Sequence, residues 1–217
     1  MTGDTDQYAQ DIVSHFDVIL PEQERTLERA AQNVQLGLER DSEIYRAFTQ
    51  LQFFVLTVDF DMRVLLRALL SNPQNRLTAE KFLALMLEES DESTGKMIST
   101  VNKALRKSAH DSGAHLVDVE KFNEAVSNFK QNMASMKADK KFNETLRLIR
   151  NTVAGHIVGN KTGIQNSAIW VLTRAHVPRD SNGVLKSQIV SYSIETMKAL
   201  HTFAGELQDS YSTQSRI

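Results

Sequence analysis

The chain has 217 residues and carries 25 Lys and Arg residues against 27 Asp and Glu residues, which gives a formal net charge of −2. This balance excludes a globally basic protein that coats nucleic acid and equally excludes a disordered acidic tail. The absence of cysteine excludes disulfide frameworks, thiolate metal sites and cysteine nucleophiles, and it fits the reducing cytoplasm, where we expect the protein to reside. Because there is neither a secretory signal pattern nor an apolar stretch of about 18 residues, we expect no membrane association.

The N-terminal half is predicted to be helical. Three prolines and nine glycines are too few for the many tight turns of a sandwich or barrel. Helical spacing of apolar residues is weak in two segments, 8–20 and 27–38, and becomes strong from Asp41 to Ser71. At 1.5 Å per residue this third segment would be on the order of 45 Å long, and we expect it to be the central helix. Its apolar stripe consists of Ile44, Phe48, Leu51, Val55, Val58, Met62, Leu65 and Leu69.

The rest of the chain continues the helical pattern. Weak helical spacing recurs at 82–86 and 97–105, and two consecutive core helices are predicted from Val119 to Met136 and from Phe142 to Ile157. Asp139 is the expected N-cap of the second core helix. A short candidate covers 164–175, and a last helical segment is indicated at 185–203. Loops are predicted at 71–76, 89–93, 111–114, 159–163 and 177–183, and no alternating strand pattern is found.

These elements predict an all-α fold, a single helical bundle that comprises residues 1–217 and is built around the long central helix. Neither an internal repeat nor a low-complexity linker divides the chain. Residues 1–40 have two interpretations. They belong to the bundle, or they form a peripheral N-terminal helical arm that embraces a second subunit.

Three polar motifs have simpler explanations than a metal or nucleotide site. Asp59 and Asp61 lie two helical positions apart, so their carboxylates point about 200° apart and cannot share an ion; an Asp59–Arg63 pair is the simpler interpretation. The segment 110–115 holds two imidazoles without a third distant ligand and is interpreted as a polar turn. The segment 155–162 departs from a phosphate-binding P-loop by one residue, but it follows a helix and not a strand, which disfavours nucleotide hydrolysis.

Positive charge is concentrated in one part of the chain. Residues 137–186 hold nine Lys and Arg residues and three Asp and Glu residues, a net of +6, whereas residues 1–136 have a net of −7. A locally basic segment can attract phosphate without coating the whole surface. Within it, Arg150 and His156 flank the apolar stripe of the predicted helix, with Cβ atoms about 10 Å apart on an ideal helix, close enough to meet on one phosphate. Arg147 and Asn143 extend the polar stripe beside Arg150.

These residue types support cleavage of RNA without a metal ion. A neutral His156 can take a proton from a ribose 2′-hydroxyl, and a charged one can give a proton to the leaving oxygen. Arg150 donates a planar fork that matches the charge growing on the phosphoryl oxygens, and Asn151 can hydrogen-bond the same group. Because DNA lacks the 2′-hydroxyl, RNA is the expected substrate.

The motif Arg150-Asn151-x4-His156 resembles the signature of the HEPN superfamily of helical bundles, an Arg often followed by a polar residue and then, after four to six positions, a His. The layout of residues 41–89, a long helix followed by Leu77-Thr-Ala-Glu-Lys-Phe-Leu-Ala-Leu, is similar to that of abortive-infection HEPN proteins of phage defence. The resemblance implies a metal-independent endoribonuclease, commonly dimeric, whose two motif copies face each other across the dimer interface. It also implies that Arg150 and His156 are the catalytic pair and Asn151 a supporting polar residue.

We therefore expect an endoribonuclease that acts in phage defence or in a toxin–antitoxin pair and needs no cofactor. The expected partners are RNA, a second copy of the chain, and an antitoxin or another protein of the defence system. Arg147, Asn143 and Lys161 are expected to bind RNA. The alternative is a noncatalytic helical interaction or dimerisation module that binds a protein or nucleic-acid partner, in which Arg150 and His156 make structural or dimer contacts.

Overall fold

The computed structural model describes residues 3–72, 74, 76–107, 111, 113–149 and 182–211 of the chain. These residues are almost entirely helical, and no β-strand occurs among them, although one isolated bridge joins Val117 to Tyr211. The prediction of an all-α helical bundle is confirmed. A short 3₁₀ turn occupies Ala114–Leu116, and the α-helices are α1 (Gly3–Glu39), α2 (Glu43–Ser71), α3 (Arg76–Arg106), α4 (Val119–Asn132), α5 (Ala134–Ala138), α6 (Lys140–Ile149) and α7 (Asn182–Ser210).

Helix α2 is the central element, as its long apolar stripe predicts. It begins after Ser42, whose hydroxyl oxygen accepts a hydrogen bond from the backbone N–H of Tyr45 at 3.1 Å and so caps the first turn. Helices α1, α3 and α7 all pack against it. Seven of the eight predicted stripe residues are buried; Leu65 is half-buried, and its neighbour Leu66 takes the buried position.

Helix α1 joins the two weakly periodic N-terminal segments into one continuous helix with Pro21 inside it. Pro21 is exposed, on the side of the helix away from the bundle. The opposite side contacts α2 along much of its length and contributes buried Phe16 and Ala30. Arg67 of α2 donates from Nε to Asp17 Oδ1 at 2.6 Å, which adds an ion pair between the two helices.

The loop predicted at residues 89–93 is wrong, because α3 runs without interruption through it. Polar residues suggested a break there, yet the segment contains neither Gly nor Pro, the residues that end helices most effectively. Lys96 Nζ donates to Glu92 Oε1 at 2.6 Å, an i, i+4 pair that stabilises the helical form. Ser90 is buried and its hydroxyl donates to the carbonyl of Leu87 at 3.0 Å, so the helix itself supplies its hydrogen-bond acceptor.

The core helix predicted from Val119 to Met136 is divided in two at Met133, which separates α4 from α5. Both Met133 and Met136 are buried, as their spacing predicts. Helix α7 then packs against α4 and α2, with the Phe203 ring stacked on Phe129 at a centroid distance of 4.8 Å. The predicted short helix at 164–175 and the loop at 159–163 lie outside the described residues, as does most of the loop at 177–183.

None of the helices in the described ranges carries an apolar stretch long enough to cross a lipid bilayer.

Candidate functional site

Helix α6 leads directly into the predicted catalytic motif. The prediction that Asp139 caps this helix is confirmed, since Asp139 Oδ1 accepts a hydrogen bond from the backbone N–H of Phe142 at 3.0 Å. Phe142 and Leu146 are both buried and form the inner face of α6, which packs against α3. The described part of α6 reaches Ile149, the residue before Arg150.

Four of the predicted site residues lie outside the described residues. They are the three residues of the motif, Arg150, Asn151 and His156, and the predicted RNA-binding Lys161. Their catalytic and RNA-binding roles therefore stay predictions. What the structure does describe is the surface that precedes them on α6.

The outer face of α6 is basic. Lys140, Lys141 and Arg147 are exposed on it, and Glu144 is the acidic residue among them. Arg147, predicted to bind RNA, occupies the last turn of the helix, which is the end that adjoins Arg150. Lys137 lies just before this helix and forms an ion pair with α3, since its Nζ lies 2.7 Å from Asp91 Oδ1. This ion pair involves no residue of α6, so the positive charge on the exposed face of α6 remains without it.

Asn143, the other predicted RNA-binding residue, is half-buried and holds α6 to the preceding helix. Its Nδ2 donates to the carbonyl oxygens of Met136 at 2.8 Å and of Asp139 at 2.9 Å. Both carbonyls also accept a backbone N–H, from Asp139 and from Asn143 itself, so the side-chain amide adds a second hydrogen bond to each at the turn between α5 and α6. Sequence reasoning missed this structural contact, because it depends on the turn between α5 and α6.

A second polar centre lies in the middle of the bundle, at Asp59 of α2. The predicted Asp59–Arg63 pair is confirmed, with Arg63 Nε 2.9 Å from Asp59 Oδ1. The other carboxylate oxygen, Oδ2, accepts from Gln23 Nε2 of α1 at 2.9 Å and lies 3.9 Å from His201 Nδ1 of α7. Three helices thus contribute polar groups to one carboxylate that is 1% exposed.

Burial raises the pKa of Asp59 above that of an ordinary aspartate, because an apolar environment disfavours the charged form. The neighbouring Arg63 guanidinium, His201 and the hydrogen bond from Gln23 act in the opposite direction without reversing the shift. Asp61 is exposed on another side of α2, as the predicted angular separation requires. Across the described parts of the chain, no group of three or more His, Cys, Asp or Glu side chains is placed to hold a metal ion.

A cleft adjoins this buried carboxylate. It has two lobes of about 480 and 440 Å³ that share His15 and Arg63 as lining residues. His15 and His201 both line this cleft, and neither is among the site residues that the sequence predicts. The first lobe is lined by His15, Ile19, Glu22, Gln23, Thr26, Leu27, Leu56, Arg63 and His201, and the second by Asp11, Ile12, His15, Phe16, Arg63, Leu66, Ile194, Met197 and Lys198.

Comparison with known proteins gives no relative, since no family model, no curated protein and no solved structure matches the chain. The fold and the described sites define an all-helical protein with two polar centres. One is the basic outer face of α6, and the other is the cleft beside Asp59.

Proposed function

We propose that this protein is a metal-independent endoribonuclease of the HEPN type that acts in phage defence or in a toxin–antitoxin system. One observation carries the proposal. The exposed basic face of α6 is described as far as Arg147, and in the sequence the motif Arg150-Asn151-x4-His156 follows three residues later. Positive charge that attracts an RNA backbone therefore lies on the helix that leads into residues able to cleave it.

The proposed chemistry is transesterification at a ribose-phosphate linkage. His156 takes the proton of the 2′-hydroxyl, and the 2′-oxygen attacks the adjacent phosphorus while the 5′-oxygen leaves and is protonated. The products are a 2′,3′-cyclic phosphate and a 5′-hydroxyl. Arg150 stabilises the negative charge that grows on the phosphoryl oxygens, and Asn151 donates a further hydrogen bond to the same group.

The contacts that anchor α6 support this assignment. Asp139 caps the first turn, and Asn143 binds the carbonyls at the end of α5. A catalytic group needs a rigid support to hold its productive geometry. Because Asn143 Nδ2 is engaged by these carbonyls, we assign only its carbonyl oxygen to RNA, as an acceptor for a ribose hydroxyl. Arg147 and Lys161 are proposed to contact phosphates.

We also propose that the active form is a cytoplasmic homodimer in which two copies of the motif face one RNA, and that an antitoxin or another defence protein controls it. The oligomeric state is measured by light scattering on the purified chain. A monomer that cleaves RNA at full rate would contradict the dimeric site and leave the catalytic assignment intact.

The test of activity incubates the purified chain with total RNA in excess EDTA. We expect cleavage products that end in 2′,3′-cyclic phosphate, and no cleavage of a 2′-O-methylated RNA. His156→Ala should lower the rate by about 10² to 10⁴ and Arg150→Ala by about 10² to 10³. The exposed residues His115 and Arg106 provide matched controls, since His115→Ala and Arg106→Ala should retain full activity.

The same variants separate the ribonuclease from the noncatalytic alternative. If the folded wild-type chain leaves RNA intact, alone and during expression in bacteria, the catalytic proposal is wrong. Expression of an active ribonuclease should arrest growth, and His156→Ala should relieve the arrest. Intact RNA together with RNA binding that Arg147→Ala weakens would assign the chain to the class of noncatalytic interaction modules.

A further inference from the structure

We propose that the cleft between α1, α2 and α7 binds an amphipathic anion, with a carboxylate or phosphate head group on Arg63 and an aliphatic chain in one of the two lobes. This inference does not depend on the ribonuclease, because it rests on residues of other helices.

Arg63 is the group that would recognise the anion. Its Nε donates to Asp59 Oδ1 at 2.9 Å, and its Nη atoms make no hydrogen bond to any residue within the described ranges. Its side chain is 11% exposed, so little water competes for these donors. A guanidinium that is held through Nε by a buried carboxylate keeps a planar pair of N–H groups available, and this arrangement matches an anionic head group.

The position of Arg63 locates the head group. Arg63 and His15 are the two side chains that line both lobes, so they lie where the lobes meet. His201 adds a second imidazole to the first lobe, and Lys198 adds an ammonium to the second. Arg63 and His15 can donate hydrogen bonds to an anion at the junction, and His201 and Lys198 add donors to one lobe each.

Acidic residues also line the cleft, and they limit where an anion can bind. Glu22 lines the first lobe and Asp11 the second, and both are exposed. Asp11 Oδ1 already accepts a hydrogen bond from Gln7 Nε2 at 2.9 Å. Because water screens exposed carboxylates, their repulsion at the junction is weak. Since Asp59 offsets the charge of Arg63, what Arg63 offers there is its Nη donors, which no described residue occupies.

The walls of both lobes are largely apolar and suit an aliphatic chain. Ile19, Leu27 and Leu56 line the first lobe, while Phe16 and Leu66 contribute to the second. Volumes of about 480 and 440 Å³ fall within the range of small-molecule pockets. An apolar wall beside guanidinium N–H donors that are shielded from water is complementary to a molecule with one charged end and one apolar end.

The proposal is tested by calorimetric titration of the full-length chain with octanoate and with octyl phosphate. We expect at least one of them to bind saturably, with octanol and inorganic phosphate at least about tenfold weaker, since each lacks one of the two recognised parts. Binding of octanoate alone identifies a carboxylate head group, and binding of octyl phosphate alone identifies a phosphate.

Variants connect the binding to Arg63 and to the lobes. Arg63→Lys keeps the charge but loses the planar fork, and we expect about tenfold weaker binding. Arg67→Lys, on the same helix one turn further along, is the matched control and should leave binding unchanged. Leu56→Trp fills the first lobe and Ile194→Trp the second, so the variant that abolishes binding identifies the lobe that holds the chain.

Circular dichroism first establishes that each variant is folded, and the two lobe-filling variants leave the Asp59–Arg63 pair in place. The proposal is overturned if the folded wild-type chain binds neither octanoate nor octyl phosphate. It is equally overturned if octanol binds as tightly as they do, or if Arg63→Lys and both tryptophan variants bind as the wild type does.

Discussion

Tyr192 of α7 donates its hydroxyl hydrogen bond to Asp139 Oδ2 at 3.0 Å, while the other oxygen of the same carboxylate caps α6. Gln188, one turn earlier in α7, donates to the same Oδ2 at 3.1 Å. Burial raises the pKa of Tyr192, and the hydrogen bond to Asp139 raises it further, so the phenol remains a donor at neutral pH. The beginning of α6 is thereby fixed to α7.

Removing either partner of this contact should destabilise the protein. Asp139→Ala loses the cap and both bonds to α7, and we expect the free energy of unfolding to fall by about 1–3 kcal/mol. Tyr192→Phe loses one hydroxyl bond and should cost about 1 kcal/mol. Urea unfolding measures both values. The double variant should lose less unfolding free energy than the sum of the losses of the two single variants, because the two residues share an interaction.

Glu144→Ala is the control for Asp139→Ala, since it removes an exposed acid from the same helix and should change the free energy of unfolding by less than about 0.5 kcal/mol. Strict additivity of Asp139→Ala and Tyr192→Phe would show that the contact contributes nothing.

A second prediction concerns acid stability and Asp111. Burial opposes ionisation of this carboxyl, but hydrogen bonds from the Ser42 hydroxyl and from the backbone N–H groups of Gly113 and Ile44 outweigh it and lower the pKa. The folded state therefore favours the charged form. The resulting stabilisation is fully present above the ordinary aspartate pKa of about 3.9 and is lost as pH falls through the lower folded value.

We expect Asp111→Asn to reduce the free energy of unfolding by about 1 kcal/mol at pH 7, and the difference from wild type to shrink as pH falls below about 4. Urea midpoints measured for both proteins between pH 7 and pH 3 provide the test. A difference that stays constant over this range would mean that the charge of Asp111 does not stabilise the fold.

A third prediction compares two glycines. A Cβ at Gly113 would collide with Ser42 Oγ, the group that caps α2, whereas a Cβ at Gly95 in α3 would meet nothing. We expect Gly113→Ala to lower the free energy of unfolding by about 1–3 kcal/mol. Gly95→Ala should leave it unchanged or raise it by up to about 1 kcal/mol, because alanine favours helix. The thermal midpoint should therefore fall for Gly113→Ala and stay unchanged or rise for Gly95→Ala, and an equal fall for both variants would contradict this packing.

The uninterrupted α3 gives a fourth prediction. Glu92 is exposed in the middle of this helix, in the segment where the sequence predicts a loop. Proline at this position removes a helical hydrogen bond and clashes with the preceding turn, so Glu92→Pro should cost about 3 kcal/mol or more. Glu92→Ala is the control and should cost less than about 1 kcal/mol. If the urea midpoint of Glu92→Pro equals that of Glu92→Ala, α3 is interrupted at this position and the prediction is wrong.

The sequence predicts those features that depend on neighbours close in the chain. The stripe of α2, the Asp59–Arg63 pair and the Asp139 cap each involve residues within about one turn of one another, or repeat with the helical period. The loop predicted within α3 is wrong because a run of polar residues like that at 89–93 is typical of the connection between two helices. In the structure such residues also pair along the side of a continuous one.

The features that the sequence did not predict depend on which helices become neighbours. Gln23 reaches Asp59 from 36 positions away, and His201 reaches it from the last helix. Helical periodicity identifies the inner face of each helix but not the helix that covers it. The cleft beside Arg63 could therefore not be predicted from the sequence. The catalytic role of the motif from Arg150 to His156 stays a prediction.

The buried Asp59 has a consequence for synthesis on the ribosome. Its oxygens face groups from α1, α2 and α7, and α7 is the last described helix to leave the exit tunnel. Until then, α2 lacks the neighbour that covers one of its apolar sides. A nascent chain that stalls before residue 182 would thus expose the hydrophobic surface around Asp59 that α7 covers, which makes it a target for chaperones.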